Sequence, residues 1–265
     1  NGLKNGVQSK FSWRAKNAVA LWTGKTYLPY KGMPKNRQVS FRPEDVSEFR
    51  KLHPEVTRFT AVLDRWGDTL SVGKESMFNL IKAVSPEYPS IRNVEIVAGG
   101  GRFINEADMK MARKVAVIHE RTAETLFKSK PAIGQQIKAG NIVYKVVGIY
   151  TEELMQSSPD VFIPLSTAGK IYFPDEKYKS LEMLVEGVNS LEENAAFERG
   201  MRETLGQLGD FSPDDRNALY VSNTISNYLQ TQGIFNGIQI FVWIIGIGTL
   251  IAGIVGVSNI MSVSY

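Results

Sequence analysis

"VWIIGIGTLIAGIVGVSNIM" runs from Val242 to Met261 and contains no Asp, Glu, Lys or Arg. The chain has 31 Lys+Arg and 27 Asp+Glu, yet its last charged residue is Arg216, so residues 217–265 carry no charge. From Phe241 to Val257 the apolar run is broken only by glycines and Thr249. With its flanks it reaches the roughly 20 residues that cross a hydrocarbon core about 30 Å thick. The alternative, a fully buried core helix of a large soluble protein, is disfavoured by that length. The position in the chain excludes a signal peptide.

At 100° per residue the stretch sorts by size. Gly246, Gly248, Thr249, Ala252, Gly253 and Gly256 fall on one half, and Ile247, Leu250, Ile251, Ile254, Val255 and Val257 on the other. Gly248, Ala252 and Gly256 form a ladder of small residues four apart, which lets helix backbones approach closely in lipid. A lone anchor needs no such face. The expectation is a spanning helix that packs on another through Gly248, Ala252 and Gly256, with Trp243 near one membrane interface.

The remaining residues suffice for one or two domains with their own cores. The absence of cysteine removes disulfides, thiolate metal sites and cysteine nucleophiles. His53 and His119 stand too far apart to suggest a metal site and are expected as solvated or hydrogen-bonded surface imidazoles. Residues 1–43 hold Lys4, Lys10, Arg14, Lys16, Lys25, Lys31, Lys35, Arg37 and Arg42 and no acid. Without a nucleic-acid-binding motif, such an arm is a solvated basic surface or meets anionic lipid headgroups beside a membrane helix. No nucleic-acid partner is expected.

Along the chain, Leu3, Val7, Phe11, Ala15, Ala18, Val19 and Trp22 stand at helical spacing, which predicts an amphipathic helix over 3–22 ended at Gly24. "TYLPYKG" (26–32) reads as a strand. "RPEDVSEFRKLHPEV" (42–56) is a helix with Pro43 in its first turn. "TRFTAVLDRWGDTLSVG" (57–73) reads as a hairpin turning at Trp66-Gly67-Asp68. "ESMFNLIKAVSPEY" (75–88) is a strand and turn. In "VEIVAGGGRFINEADM" (94–109), Gly99, Gly100 and Gly101 lack the spacing of a phosphate loop, and a turn with positive φ is the expectation. "KVAVIHERTAETLF" (114–127) is strand then helix, and residues 130–153 are two strands about Ala139-Gly140-Asn141. "DVFIPLSTAGKIYF" (160–173) and "YKSLEMLVEGV" (178–188) add strands. "SLEENAAFERGMRETLGQL" (190–208) is a helix with Ser190 as N-cap and Glu193 three residues on. "NALYVSN" (217–223) is a strand, and "NTISNYLQTQGIF" (223–235) leads as a helix into the apolar span.

The order of "GGGRFINEADM", "KVAVIHERTAETLF", "AIGQQIKAGNIVYKVVGIY", "DVFIPLSTA" and "IGIGTLIAGIVGVSNIM" resembles the periplasmic region and second transmembrane helix of MacB/FtsX-type ABC-transporter permeases. "NGLKNGVQ" resembles the segment after their first membrane helix, so the chain looks like an excerpt of a longer permease. The resemblance implies an α+β fold: a porter-like βαβ-type subdomain (residues 23–99 and 178–222), an inserted mostly-β subdomain (100–177), a membrane-proximal stalk helix (1–22), and a stalk helix continuing into the one C-terminal transmembrane helix (223–265). It implies a bacterial inner (plasma) membrane location with residues 1–235 in the periplasm. The basic arm argues for the cytosol, but long domains translocate largely regardless of charge. It further implies mechanotransmission: cytosolic ATP hydrolysis changes the periplasmic head and drives efflux or export. The implied partners are a cytosolic ATP-binding domain or subunit, a second permease copy in a dimer, a periplasmic adaptor, an outer-membrane channel and the lipid bilayer.

Two alternatives share the resemblance: an FtsX-like transducer that activates a cell-wall hydrolase, and a lipoprotein-release permease. The size of the head favours the MacB-like reading. For an enzyme there is no Gly-x-Ser-x-Gly, no metal-ligand cluster and no nucleotide loop. The carboxylate pairs Glu152-Glu153, Glu192-Glu193 and Asp214-Asp215 read as solvated. No enzyme, metal or cofactor is expected.

Overall fold

A computed structural model describes residues 17–128, 130–151, 159–175 and 177–263. Its organising element is β2 (Val56–Val72), a 17-residue strand that serves two sheets. Its first half pairs with β9 (Ser180–Val185), from Val56↔Val185 to Val62↔Ser180. Its second half pairs with β3 (Glu75–Val84), from Leu63↔Ala83 to Val72↔Glu75, and briefly with β6 (Gln136–Ala139). Alternation along the strand sends Ala61 and Leu63 to one side and Val62 to the other, so β2 feeds distinct clusters as it passes.

The first lobe is the sheet β10-β1-β9-β2, with β1 at Ala18–Thr23 and β10 at Leu219–Asn223, all antiparallel neighbours. Helix α1 (Pro43–Leu52) connects β1 to β2, and another, the helix Leu191–Leu208, connects β9 to β10. This is a pair of split β-α-β units with everything between β2 and β9 inserted. Both helices bury their apolar stripes on one face of the sheet. Phe49, Phe197, Met201 and Leu205 meet Val19, Leu21, Phe59 and Met183 there.

The second lobe begins within β2. Its sheet continues β3-β8-β5-β7-β4, with β4 at Glu95–Gly101, β5 at Val115–His119, β7 at Ile142–Thr151 and β8 at Asp160–Pro164. β3 pairs with β8 and β5 with β7 in parallel. Four helices decorate it: α2 (Tyr88–Arg92), α3 (Glu106–Met111), α4 (Glu120–Phe127) and α5 (Leu165–Ile171). One face buries Leu70, Ile81, Ile118, Ile137, Tyr144 and Val146; the other buries Tyr88, Val117, Tyr150 and Phe162. The helix Leu191–Leu208 is α6, and α7 (Thr224–Val263) follows β10.

Several expectations are corrected. Residues 3–16 of the expected amphipathic helix lie outside the described residues, but its end is strand: Ala18–Leu21 are all buried inside the first sheet. A short apolar run fits both periods, and burial between β9 and β10 decides for the strand. "TYLPYKG" is not a strand. The amides of Tyr27 and Leu28 donate to the Asp215 carboxylate at 2.6 and 2.8 Å instead of to a neighbouring strand, and Lys31 and Gly32 take positive φ. Trp66-Gly67-Asp68 is not a hairpin turn but a bulge inside β2, where Gly67 adopts φ +92°. The chain turns at Gly73-Lys74, with Gly73 at φ +60°. Helices α2, α3 and α5 stand where the periodicity shows only turn or strand.

The expected Ser190 cap is present: its Oγ accepts from the Glu193 amide at 3.1 Å, and Glu193 accepts from the Asn189 amide at 2.7 Å. A second cap organises the second lobe. Asp108 in α3 is fully buried and accepts from Arg102 Nη1 and Nη2 (2.5 and 3.1 Å) and from the Asn105 amide (3.1 Å), with Arg113 3.6 Å away. Burial pushes its carboxyl up, but the hydrogen bonds from Arg102 and Asn105 and the two arginine charges outweigh it and hold the pKa below the usual range. A depressed folded pKa adds stability that is fully present above the unfolded value near 3.9 and is lost as pH falls through the folded one. Asp108→Asn is expected to cost about 1–3 kcal/mol at pH 7. In urea titrations of the purified chain the gap from wild type should close as pH is lowered below about 4. A gap independent of pH would show that Asp108 acts by shape alone.

Candidate functional site: the membrane helix and its seat on the head

Helix α7 is 40 residues long, so it extends about 60 Å at 1.5 Å per residue. Its beginning is fastened to the first lobe. The Asn223 Oδ1 accepts from the amides of Ile225 (3.0 Å) and Ser226 (3.4 Å), capping the first turn, while its Nδ2 donates to Asn194 Oδ1 of α6 at 2.9 Å. Thr224 Oγ1 donates to the Ala18 carbonyl of β1 at 2.5 Å. Ile225 is buried in the first-lobe core, and Leu229, one turn on, packs against it.

Beyond Leu229 the helix leaves the head. Its polar stretch keeps helical form through side-chain bonds to the preceding turn: Gln230 to Ser226, Thr231 to the Asn227 carbonyl, and Gln232 to Tyr228. The apolar part follows without interruption. Among the described residues this is the one helix long and apolar enough to cross a membrane, with a mean hydropathy of 2.1 over its most apolar stretch and none of that stretch buried. Trp243 stands exposed near its start. Thr249, the polar residue inside it, donates to the carbonyls of Ile245 and Gly246, so its hydroxyl is satisfied within the helix.

Gly248, Ala252 and Gly256 lie at successive turns of α7, as their spacing predicts. A Cβ built on Gly246, Gly248 or Gly253 would meet nothing within 4 Å. Ile247, Leu250, Ile251 and Ile254 on the other half are exposed as well. Between Gly246 and Ile254 neither half of this helix is covered by the described residues of its own chain.

The other residues singled out in the sequence take structural places. His53 is buried, not on the surface: it stacks on Phe49 at 4.5 Å, with Nδ1 2.8 Å from Glu55 and Nε2 3.0 Å from Thr204, and so ties α1 to α6. His119 is also buried. Its Nδ1 accepts from the Arg121 amide at 3.1 Å, its edge meets Tyr150, and desolvation lowers its pKa. Gly99 and Gly101, but not Gly100, adopt positive φ, and they do so not in the expected turn but in the irregular end of β4, where a Cβ on Gly101 would stand 2.3 Å from the Val147 carbonyl oxygen. Asp215 is buried, not solvated; besides the amides of Tyr27 and Leu28 it accepts from those of Asn217 and Ala218. Glu152 and Glu153 lie outside the described residues. No group of three or more His, Cys, Asp or Glu is placed to hold a metal among the described residues. The Asn223, Asn194 and Thr224 seat was not singled out from the sequence; its signal was "SNT" just ahead of the helical run.

Residues 1–203 match the family model of the MacB-like periplasmic core domain. A macrolide export ATP-binding/permease protein MacB of Wolinella succinogenes is 26% identical over 276 residues, covering 100% of this chain and 40% of its own length. A counterpart in Marinobacter nauticus is 27% identical over 207 residues, covering 75% of this chain and 30% of its own. The chain thus spans 40% or less of the length of these two curated relatives. The periplasmic region of MacB from Actinobacillus actinomycetemcomitans superposes with a TM-score of 0.65 at 17% identity, over 84% of this chain and 95% of that one. The extracellular domain of the noncanonic ABC-type transporter YknZ from Gram-positive bacteria gives 0.63 at 17%, over 78% and 100%. At such identity the structural likeness is one of fold. The family match over residues 1–203 settles the affiliation that the order of the fragments led us to expect: the chain belongs to the MacB-like periplasmic core domain family.

Proposed function

We propose that this chain is the extracytoplasmic head and one membrane helix of an ABC-transporter permease, and that it converts cytosolic ATP hydrolysis into movement of the head that drives efflux or export. The observation that carries the reading is α7. It starts inside the core of the first lobe, contains no proline, and runs as one helix into an uncharged apolar span. A helix held this way at one end is a stiff lever, because displacing it within the bilayer must displace the sheet that holds its first turn. The curated relatives join ATP-binding and permease functions in their names, which supports an ATP-binding partner here.

In this reading the chain lies in the inner membrane with residues 1–235 in the periplasm, and hydrolysis is the work of its cytosolic ATP-binding partner. Force would pass from the stalk and membrane helix (223–265) into the first lobe, which takes in β1 where a stalk over 1–22 was expected, and from there into the inserted lobe. We draw the functional boundary of the insert within β2, where the two cores part, in place of the expected start near residue 100. A periplasmic adaptor and an outer-membrane channel would complete an export route. The basic residues of the first 43 positions would meet anionic headgroups or solvent.

Gly248, Ala252 and Gly256 would face a second membrane helix, from the same permease or from a second copy. Enlarging a residue where backbones nearly touch costs about 1–3 kcal/mol. Gly248→Leu and Gly256→Leu in the full-length permease should insert at normal levels yet lose ATP-dependent export, while Ile251→Leu on the large half keeps it. Export assays with membrane levels checked by blotting distinguish them; equal behaviour would reduce α7 to an anchor. A reporter inserted at the exposed turn Gly73-Lys74 should be active only if it requires export, and activity of a cytosolic reporter there would overturn the orientation.

A further inference from the structure

The two lobes are joined by the backbone of β2 and by the return segment between α5 and β9, and two such strands of chain still leave the lobes free to twist. What sets the second lobe on the first is therefore a matter of side contacts. On one side of β2, Leu165 and Tyr178 touch both cores. On the other side stands α2, five residues long and part of the second lobe by chain order, between β3 and β4. Its Tyr88 packs in the second-lobe cluster, 5.1 Å from Phe162. Its Ile91 packs on Ala18 of β1 and Leu184 of β9, in the first lobe.

Both ends of this short helix are fastened to the first lobe by charge. At the start, the Glu87 carboxylate accepts from the Phe59 amide of β2 at 2.6 Å and from Arg50 of α1 at 3.2 Å. At the end, Arg92 donates both Nε (2.5 Å) and Nη2 to the Glu182 carboxylate of β9. Arg92 and Glu182 are both buried, and Glu182 stands in register between Ala20 of β1 and Thr60 of β2, at the middle of the first sheet. A buried bidentate pair is intolerant of misalignment, since separating its members leaves each charge desolvated and unpaired. Such a pair is weak evidence for stability but strong geometric register.

The same place receives the membrane helix. Thr224, the first residue of α7, is bonded to the carbonyl of Ala18, the residue on which Ile91 rests. From α7 to the second lobe the route is thus Thr224, Ala18, then α2. We infer that α2 is the clamp that makes the second lobe follow α7, with Arg92, Glu182, Ile91 and Glu87 as its positioning residues. The inference rests on the lever reading above and adds the part that delivers the movement to the inserted lobe.

The test uses the full-length permease with its ATP-binding part in proteoliposomes. This stretch contains no cysteine, so once any cysteines elsewhere in the permease are replaced, introduced cysteines at Leu191 in the first lobe and Phe78 in the second, both exposed, give a defined spin-label pair. The wild-type distance distribution should be narrow and should keep its width when ATP turns over. In Glu182→Gln it should widen at least about twofold, with export lost and ATP turnover retained. If that variant fails to accumulate, Glu87→Gln, which frees the other end, should widen it likewise. Thr204→Val, which removes a His53 bond within the first lobe, should leave the width unchanged. An unchanged width in the Glu182 and Glu87 variants, or equal widening in Thr204→Val, overturns the clamp. A wild-type head that does not shift relative to the bilayer on ATP addition, read from a label at Phe78 by accessibility to a membrane-bound relaxant, overturns the lever and the coupling together.

Discussion

β2 has to be two strands at once. Its residues from Val56 to Val62 complete a sheet whose helices lie on one face, and from Leu63 onward they found another sheet with clusters on both faces. The bulge at Gly67 adjusts its twist in the second half, and the alternation of Ala61, Val62 and Leu63 distributes side chains to three clusters within three residues. The split β-α-β lobe, the insertion, and the position of α2 against the first sheet follow from that one continuous strand.

Much of this was legible. The apolar span, the strands from Glu75 onward, helices α4 and α6, the start of α7, the Ser190 cap and the family all follow from periodicity, capping chemistry and fragment order, whereas α2, α3 and α5 do not. The misreadings share a physical cause. Ala18–Leu21 satisfies the helical period only because a short, fully apolar run satisfies any period, and its partners β9 and β10 lie more than 150 residues further on. Trp66-Gly67-Asp68 carries the residues of a turn, but the strand bulges there and continues. Tyr27 and Leu28 look like strand residues because the group that takes their amides, Asp215, is remote in sequence and reads there as one of two adjacent solvated acids. Both histidines read as surface groups, since Thr204 lies 151 positions beyond His53, and Tyr150 reaches His119 only through the pairing of β5 with β7.

The candidate site divides in the same way. The ladder Gly248, Ala252 and Gly256 is a local pattern and was found from local spacing. The seat of α7 joins Asn223 and Thr224 to Asn194 and Ala18, which only the folded sheet brings near. The same holds for the clamp: Arg92 and Glu182 are 90 positions apart, and nothing in their neighbourhoods marks either as buried.

The pairing of β1 with β9 and β10 also fixes an order of events during synthesis. The inserted lobe is assembled from residues lying between Leu63 and Phe173, so its contacts can close while later residues are still being made. The first lobe cannot: β1 waits in the chain until Ser180–Val185 and Leu219–Asn223 arrive to flank it. Closing so long a loop is slow in conformational search but changes little in free energy once the intervening segment is already compact. The insertion therefore serves the first lobe as a preformed spacer that shortens the effective loop. The last strand to dock, β10, is also the one from which the membrane helix departs, so completion of the head and the seating of α7 are a single closing event.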